Sequence, residues 1–240
     1  MPDILLPHHE LTAEATLGPL HLHASLTLSA PWTVIFGPSG SGKSSLLLAA
    51  CGLIPEAKVD FLGFSTDGSH TQLEKLATHR RALGYAPQHA ALFPHLSAED
   101  NIRFPSQVCE SPSKNSDMIK NVLALFNLGG LADRMPARLS GGERRRVALA
   151  RAFTVPNCRL MLLDEPFTGL DRKLRNDLLP AMQAWLAVRK IPVLSVTHDV
   201  DEALLLGADV IRIEDGRVLA QGPAAEVLAT ERERLLQTLS

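Results

Sequence analysis

The sequence predicts an α/β fold built on a mostly parallel sheet. Short apolar runs at 32–36, 160–163 and 192–196 have the composition of strands covered on both faces. Segments with helical patterning alternate with them along the chain. The first of these runs ends at a glycine-rich turn that opens a helix.

Taken in order, residues 20–28 alternate apolar with polar side chains, the pattern of a half-buried strand. Residues 32–36 form a buried strand and 44–51 a helix, with a further short strand at 82–86. Ser97 opens a helix with Asp100 three places on, a capping-box spacing. Residues 105–117, rich in Pro, Ser and Asn, read as a surface loop, and 118–128 as a helix stopped by Gly129-Gly130. Residues 140–153 form a helix carrying Arg144-Arg145-Arg146. The run 160–163 is a central strand, and 171–189 a helix with Leu174, Leu178, Trp185 and Val188 on one face and a kink at Pro180. A buried strand at 192–196 and a hairpin over 210–219, turning at Asp215-Gly216, precede a helical tail from Pro223. No internal repeat interrupts this order.

A chain of 240 residues buries roughly 70–75% of its unfolded surface, enough for one large domain or one domain with an inserted subdomain. Net charge is -2, so nucleic acid is not an expected partner. Cys51, Cys109 and Cys158 are far apart and form no CxxC pair, as expected of reduced thiols in the cytosol. The histidines have no metal-ligand spacing; His8, His9, His21 and His23 are expected to face solvent. Residues 1–7 lack the pattern of a signal peptide, and the longest apolar stretch, 46–54, is too short to span a membrane. Work at a membrane therefore requires a partner.

Gly37-Pro38-Ser39-Gly40-Ser41-Gly42-Lys43-Ser44 fits GxxxxGK[ST] between a strand and a helix, with Ser45 following. Glycines let backbone N–H groups converge on phosphates, and the helix presents its positive end. Lys43 supplies charge to the β- and γ-phosphates of ATP, and the Ser44 hydroxyl completes a Mg²⁺ shell. Asp164 and Glu165 stand at the end of the 160–163 strand, where ligands bind in open α/β sheets. Asp164 would orient Mg²⁺, and Glu165 would accept the proton of an attacking water. Leu139-Ser140-Gly141-Gly142-Glu143 opens a helix whose first N–H groups can bind a phosphate. By itself the pentapeptide is equally an N-capped surface helix.

The order of these motifs resembles that of ABC transporter nucleotide-binding subunits along nearly the whole chain. The shared motifs are the phosphate loop, Gln88 in Tyr-Ala-Pro-Gln, the signature at 139–143, Leu-Leu-Asp-Glu-Pro at 162–166, Gly169-Leu170-Asp171 and Val-Thr-His-Asp at 196–199. The resemblance implies the P-loop ABC ATPase fold, with a parallel core, an antiparallel β region and an inserted helical subdomain. The core would take about 1–88 and 155–240, and the subdomain about 89–154.

The resemblance also implies a head-to-tail homodimer in which Ser140, Gly141 and Gly142 of one subunit close on the other's ATP. Gln88 would sense the γ-phosphate and Mg²⁺, Asp171 would communicate across the dimer, and His198 would hold the γ-phosphate and position Glu165. Residues 89–104 would meet a transmembrane permease at the cytoplasmic face, with a substrate-binding protein acting indirectly. Two positions depart from the family pattern. Leu17 stands where the family carries an aromatic residue against adenine, so ATP and GTP should be weakly distinguished. Glu143 replaces the commoner Gln.

Details at 16–18, 34–37, 80–85, 91–95 and 177–183 resemble molybdate importer ATPases. Many of these carry a C-terminal oxyanion-binding domain, which the 240 residues are not expected to include. A non-transport ABC ATPase usually shows coiled-coil insertions or two cassettes, and a P-loop kinase would leave the signature and His198 unexplained.

Overall fold

A computed structural model describes residues 8–65, 68–108 and 116–232. Strands β1 (His8–Leu17), β2 (Leu20–Leu28) and β3 (Trp32–Phe36) lead into helix α1 (Lys43–Cys51), then β4 (Lys58–Phe64), β5 (His70–Gln72) and β6 (Leu83–Ala86). Helices α2 (Ala98–Gln107), α3 (Ser116–Leu125) and α4 (Gly141–Ala152) precede β7 (Leu160–Asp164) and helix α5 (Arg172–Val188). β8 (Val193–Val196), α6 (Val200–Leu205), β9 (Asp209–Glu214), β10 (Arg217–Pro223) and α7 (Ala224–Val227) follow. The chain divides into two compact units, Met1–Arg81 with Lys190–Ser240, and Ala82–Arg189.

In the first unit the strand order is β5-β4-β1-β2-β10-β9-β3-β8. β3 pairs parallel to both β8 and β9, and four of its five residues are buried. Trp32 anchors this core by donating from Nε1 to Ser195 Oγ at 2.8 Å, 163 residues along the chain. β1, β2, β4 and β5 pair antiparallel, as the resemblance implies. β2 buries Leu22, Ala24, Leu26 and Leu28 on one face, so its alternation was read correctly. β1 was not expected, although Leu11, Ala13 and Ala15 alternate inward in the same way.

His21 and His23 are exposed, but His9 is 2% exposed and packs its ring 5.8 Å from that of Phe61. His8 stacks on Phe64 at 4.3 Å. The expectation of solvent-facing side chains therefore fails at His9, because strand pairing turns it to the inner face. The hairpin turn is Asp215-Gly216, both at positive φ, as a two-residue connection requires.

The second unit contains the parallel pair β6 and β7. Every residue of β7 is buried. Within residues 89–154, the described elements are α2, α3, α4 and two short 3-10 turns.

Three sequence expectations are corrected here. Of the loop expected at 105–117, residues 105–107 belong to α2 and Ser116 and Asp117 to α3, while 109–115, with Cys109, lie outside the described residues. α3 ends at Leu125, and Asn127, at φ 52, makes the left-handed turn assigned to Gly129-Gly130. In α5 the buried face is Leu178, Leu179, Met182 and Leu186, while Val188 is 82% exposed.

The three consecutive arginines of α4 are not a solvated face. Arg144 donates to the Leu139 carbonyl and Arg146 to those of Phe126 and Asn127, while Arg145 points into the unit. Burial pushes the Cys51 and Cys158 thiols up to about 12, which keeps both protonated and unreactive at neutral pH. No helix among the described residues is long and apolar enough to cross a membrane.

Candidate functional site

In the first unit, β3 delivers the chain into the glycine-rich loop at its carboxyl end. Gly37 has no room for a side chain: a Cβ there would lie 2.0 Å from the Ile213 carbonyl oxygen. Gly40 and Gly42 have φ of 82° and 96°, the left-handed region open to glycine. Pro38, Ser39 and Gly40 are exposed, and a Cβ on Gly40 would meet nothing within 4 Å. A bulky anion can therefore approach the backbone amides directly.

Lys43 begins α1 and folds its ammonium over the loop, donating to the carbonyls of Gly37 at 2.9 Å and Pro38 at 2.6 Å. Ser44 and Ser45 stand beside it in the first turn, half-buried. That turn has no acidic residue, so nothing there opposes a phosphate.

The loop is clasped from below by the β9–β10 turn. Gly216 N–H donates to the Ser41 carbonyl at 3.1 Å, and the Gly216 carbonyl accepts from His23 N–H at 2.7 Å. Gly216 has φ 75, and a Cβ would come within 2.2 Å of the His21 carbonyl oxygen. Gly216→Ala is expected to lower stability by about 2–5 kcal/mol, from left-handed strain plus a backbone clash. Urea denaturation measures it; a change below about 0.5 kcal/mol, the range of ordinary surface substitutions, would show that the clasp yields freely.

His198 follows β8 and is exposed. Its neighbours fix the loop: Thr197 Oγ1 donates to the buried Glu202 Oε2 at 3.1 Å and accepts from Asp199 N–H at 3.1 Å. Asp199 in turn caps α6 through Glu202 N–H.

In the second unit the carboxyl ends of β6 and β7 bring Gln88 and Glu165 together. Gln88 Nε2 donates to Glu165 Oε2 at 3.2 Å, and Thr168 Oγ1 donates to the same oxygen at 3.1 Å. Asp164, the last residue of β7, is 3% exposed. Glu165 has φ 46, a left-handed conformation that costs a non-glycine residue about 1–3 kcal/mol and is held only by its surroundings. Arg145 supplies much of that hold. Its guanidinium donates to the carbonyls of Pro87, Gln88, Asp164, Glu165 and Pro166.

Ser140 caps α4 in a complete capping box: Ser140 Oγ accepts from Glu143 N–H at 3.2 Å, and Ser140 N–H donates to Glu143 Oε2 at 2.7 Å. Gln would serve the same box, which explains why either residue suits position 143. These hydrogen bonds with Ser140 hold the Glu143 carboxyl below its ordinary range. Gly141 and Gly142 occupy the first turn, where helix N–H groups have no intrahelical acceptor. A Cβ on Gly142 would lie 3.8 Å from the Leu170 side chain, next to Asp171, which N-caps α5 through Leu174 N–H.

A protein-family model described as ABC transporter matches residues 23–168. The chain belongs to the ABC transporter family. Its fold agrees with that of a solved ABC protein, the ATP-binding cassette MJ0796 in a dimeric post-hydrolysis state bound to ADP and Pi. The TM-score is 0.72 at 26% identity, covering 90% of this chain and 98% of that one.

Among curated ABC relatives, the molybdenum import ATP-binding protein ModC of Methylococcus capsulatus is 42% identical over 199 residues, 82% of this chain and 54% of the relative. ModC 1 of Azotobacter vinelandii is 41% identical with the same coverage. This chain thus spans about half the length of these ModC proteins. The molybdate/tungstate import ATP-binding protein WtpC of Archaeoglobus fulgidus is 34% identical over 231 residues, 96% of this chain and 93% of that protein.

The ABC motif residues thus divide between the units. Residues 37–45 and His198 lie in the first, and Gln88, residues 140–142, Asp164, Glu165 and Asp171 in the second. Sequence reading missed Arg145, Thr168 and Gly216. Arg145 left a signal: it shares a helical stripe with Leu149 and Ala152, so a cation stands on the buried face of α4.

Proposed function

We propose that this chain is an ATP-hydrolysing subunit that works as a head-to-tail homodimer and drives import of molybdate or tungstate through a separate transmembrane permease. The observation that carries the reading is the Glu165 carboxylate, held by Gln88 and Thr168 at the end of a buried strand. It occurs in a chain that also bears an open phosphate loop.

In this reading the backbone N–H groups of residues 37–45, Pro38 excepted, and the Lys43 ammonium bind the β- and γ-phosphates of ATP. Ser44, Asp164 and Gln88 are oxygen donors, the set a hard divalent cation takes, and would hold Mg²⁺. Bound Mg²⁺ supplies charge neutralisation at the phosphates. Glu165 accepts the proton of the attacking water. His198 contacts the γ-phosphate and keeps Glu165 in line with that water. Ser140, Gly141 and Gly142 offer their helix end to ATP on the partner subunit, and Asp171 passes closure across the interface.

The cargo reading is supported by the names of the ModC and WtpC relatives. The anion-binding features of this chain are shaped for ATP, so oxyanion specificity belongs to an external substrate-binding protein and the permease. The chain then sits peripherally at the cytoplasmic face of the inner membrane, and nucleic acid has no part. Closure of the dimer can drive the permease only because ATP binds the closed arrangement more tightly than the open one.

The test is deletion of the gene in a host without a second molybdate system, with molybdenum uptake measured at low external molybdate. Uptake should be lost and then restored by the wild-type gene but not by Glu165→Gln. Unchanged uptake would overturn the cargo while leaving the ATPase reading in place.

A further inference from the structure

Arg145 lies on α4, five residues after the Ser140 cap, and is 5% exposed. A guanidinium has five N–H donors in a rigid planar fork. Here each finds a main-chain carbonyl. Nη1 donates to Pro87 at 2.6 Å and to Gln88, both beyond β6. Nη2 donates to Asp164 at 2.7 Å and to Glu165, at the end of β7. Nε donates to Pro166 at 3.4 Å.

One side chain therefore grips the exits of two adjacent parallel strands, and it grips them by backbone, leaving the Gln88 and Glu165 side chains free to face each other. Burial opposes its charge, and the nearby Asp164 and Glu165 carboxylates offset part of that cost. A lysine would keep the charge but, as a single ammonium on a flexible stem, could not span both segments.

We propose that Arg145 is a positioning residue that holds the Gln88 and Glu165 segments in register, and thereby fixes the Glu165 carboxylate, the proton acceptor, against the Gln88 amide. What the pair does rests on the ATPase reading; where it is held does not. Because Arg145 is part of the helix opened by Ser140, a shift of α4 moves both segments together.

The experiment uses the full-length protein as wild type, Arg145→Lys and Arg145→Gln, the second retaining a side-chain amide that reaches only one segment. Two readouts are taken: amide hydrogen exchange over residues 87–90 and 164–168, and steady-state ATPase kinetics normalised to sites that bind ATP. Exchange in both segments should rise together by at least about tenfold in either variant, as expected when a local clamp opens. kcat should fall by about 10–100-fold, the scale of a small misplacement of reacting groups. KM for ATP should stay within about threefold, since the phosphate contacts are untouched. In a Gln88→Ala background the same substitution should cost less than it does alone, because the two act through one geometry.

Unchanged exchange in the two segments would overturn the proposal. So would a lowered melting temperature with unaltered kcat per ATP-binding site, because that is a purely structural role. If wild-type protein fails to turn over ATP, the ATPase reading falls, and the exchange data alone decide whether Arg145 is the clamp.

Discussion

Glu165→Gln is expected to abolish ATP turnover while leaving ATP bound. The substitution is nearly isosteric, and its carbonyl oxygen can still accept from Gln88 and from Thr168, which now share one carboxylate oxygen. What it loses is the ability to accept a proton, worth roughly 10²–10⁴-fold in rate for a positioned general base. The strained backbone at φ 46 is unaffected by the exchange, so stability should change little. With hydrolysis blocked, ATP should persist and the two subunits should stay closed on it. Gel filtration with ATP and Mg²⁺ should show a dimer that wild type forms only transiently. An active variant, or one that remains monomeric where wild type dimerises, would remove Glu165 from the role.

The second large effect concerns the helix opened by Ser140. Ser140→Arg and Lys43→Ala should each reduce ATPase activity by at least about 10²-fold, the usual loss when a preorganised charge or donor is removed from a phosphate site. Mixed, the two proteins can form heterodimers in which one composite site is intact and the other carries both defects. Partial recovery on mixing is the expected result. Ser140→Arg also breaks the capping box, which costs about 1 kcal/mol, so its unfolding curve must be recorded alongside. Full activity of Ser140→Arg protein alone would sink the head-to-tail arrangement.

The parts of the molecule that were legible in sequence are those where local chemistry and tertiary demand agree. The apolar runs of β3, β7 and β8 are strands because both faces are covered. Ser97 and Ser140 cap helices because their side-chain oxygens reach the third following amide. The glycine-rich turn between β3 and α1 was legible because glycine spacing and flanking elements pointed the same way.

The misreadings have the opposite character. The Pro, Ser and Asn content of residues 105–117 reads as a loop, yet α2 continues through Pro105 to Gln107. Asn127 took over the left-handed position because an Asn side chain tolerates it, two residues before the glycines that seemed to claim it. Gly216 matters through a partner distant in sequence, the Ser41 carbonyl, that no local pattern announces, and Thr168 through a side-chain contact with Glu165 Oε2 three residues before it, which residue type alone did not single out. Arg145 was hidden in a run of three arginines whose composition suggests solvent.

The placement of β3 between β8 and β9 bears on how the protein is made. The antiparallel strands β1, β2 and β4 are close in sequence and can pair as soon as they leave the ribosome. β3 cannot do the same: its neighbours on both sides are encoded after residue 190, and the turn that clasps its loop comes at Gly216. Such long-range closures are entropically costly and come late in folding. A nascent chain carrying the complete GxxxxGK[ST] segment therefore does not have this loop embedded until residues beyond 216 have been synthesised. Until then β3 is an apolar strand without its native neighbours, the kind of segment that is open to pairing with other chains.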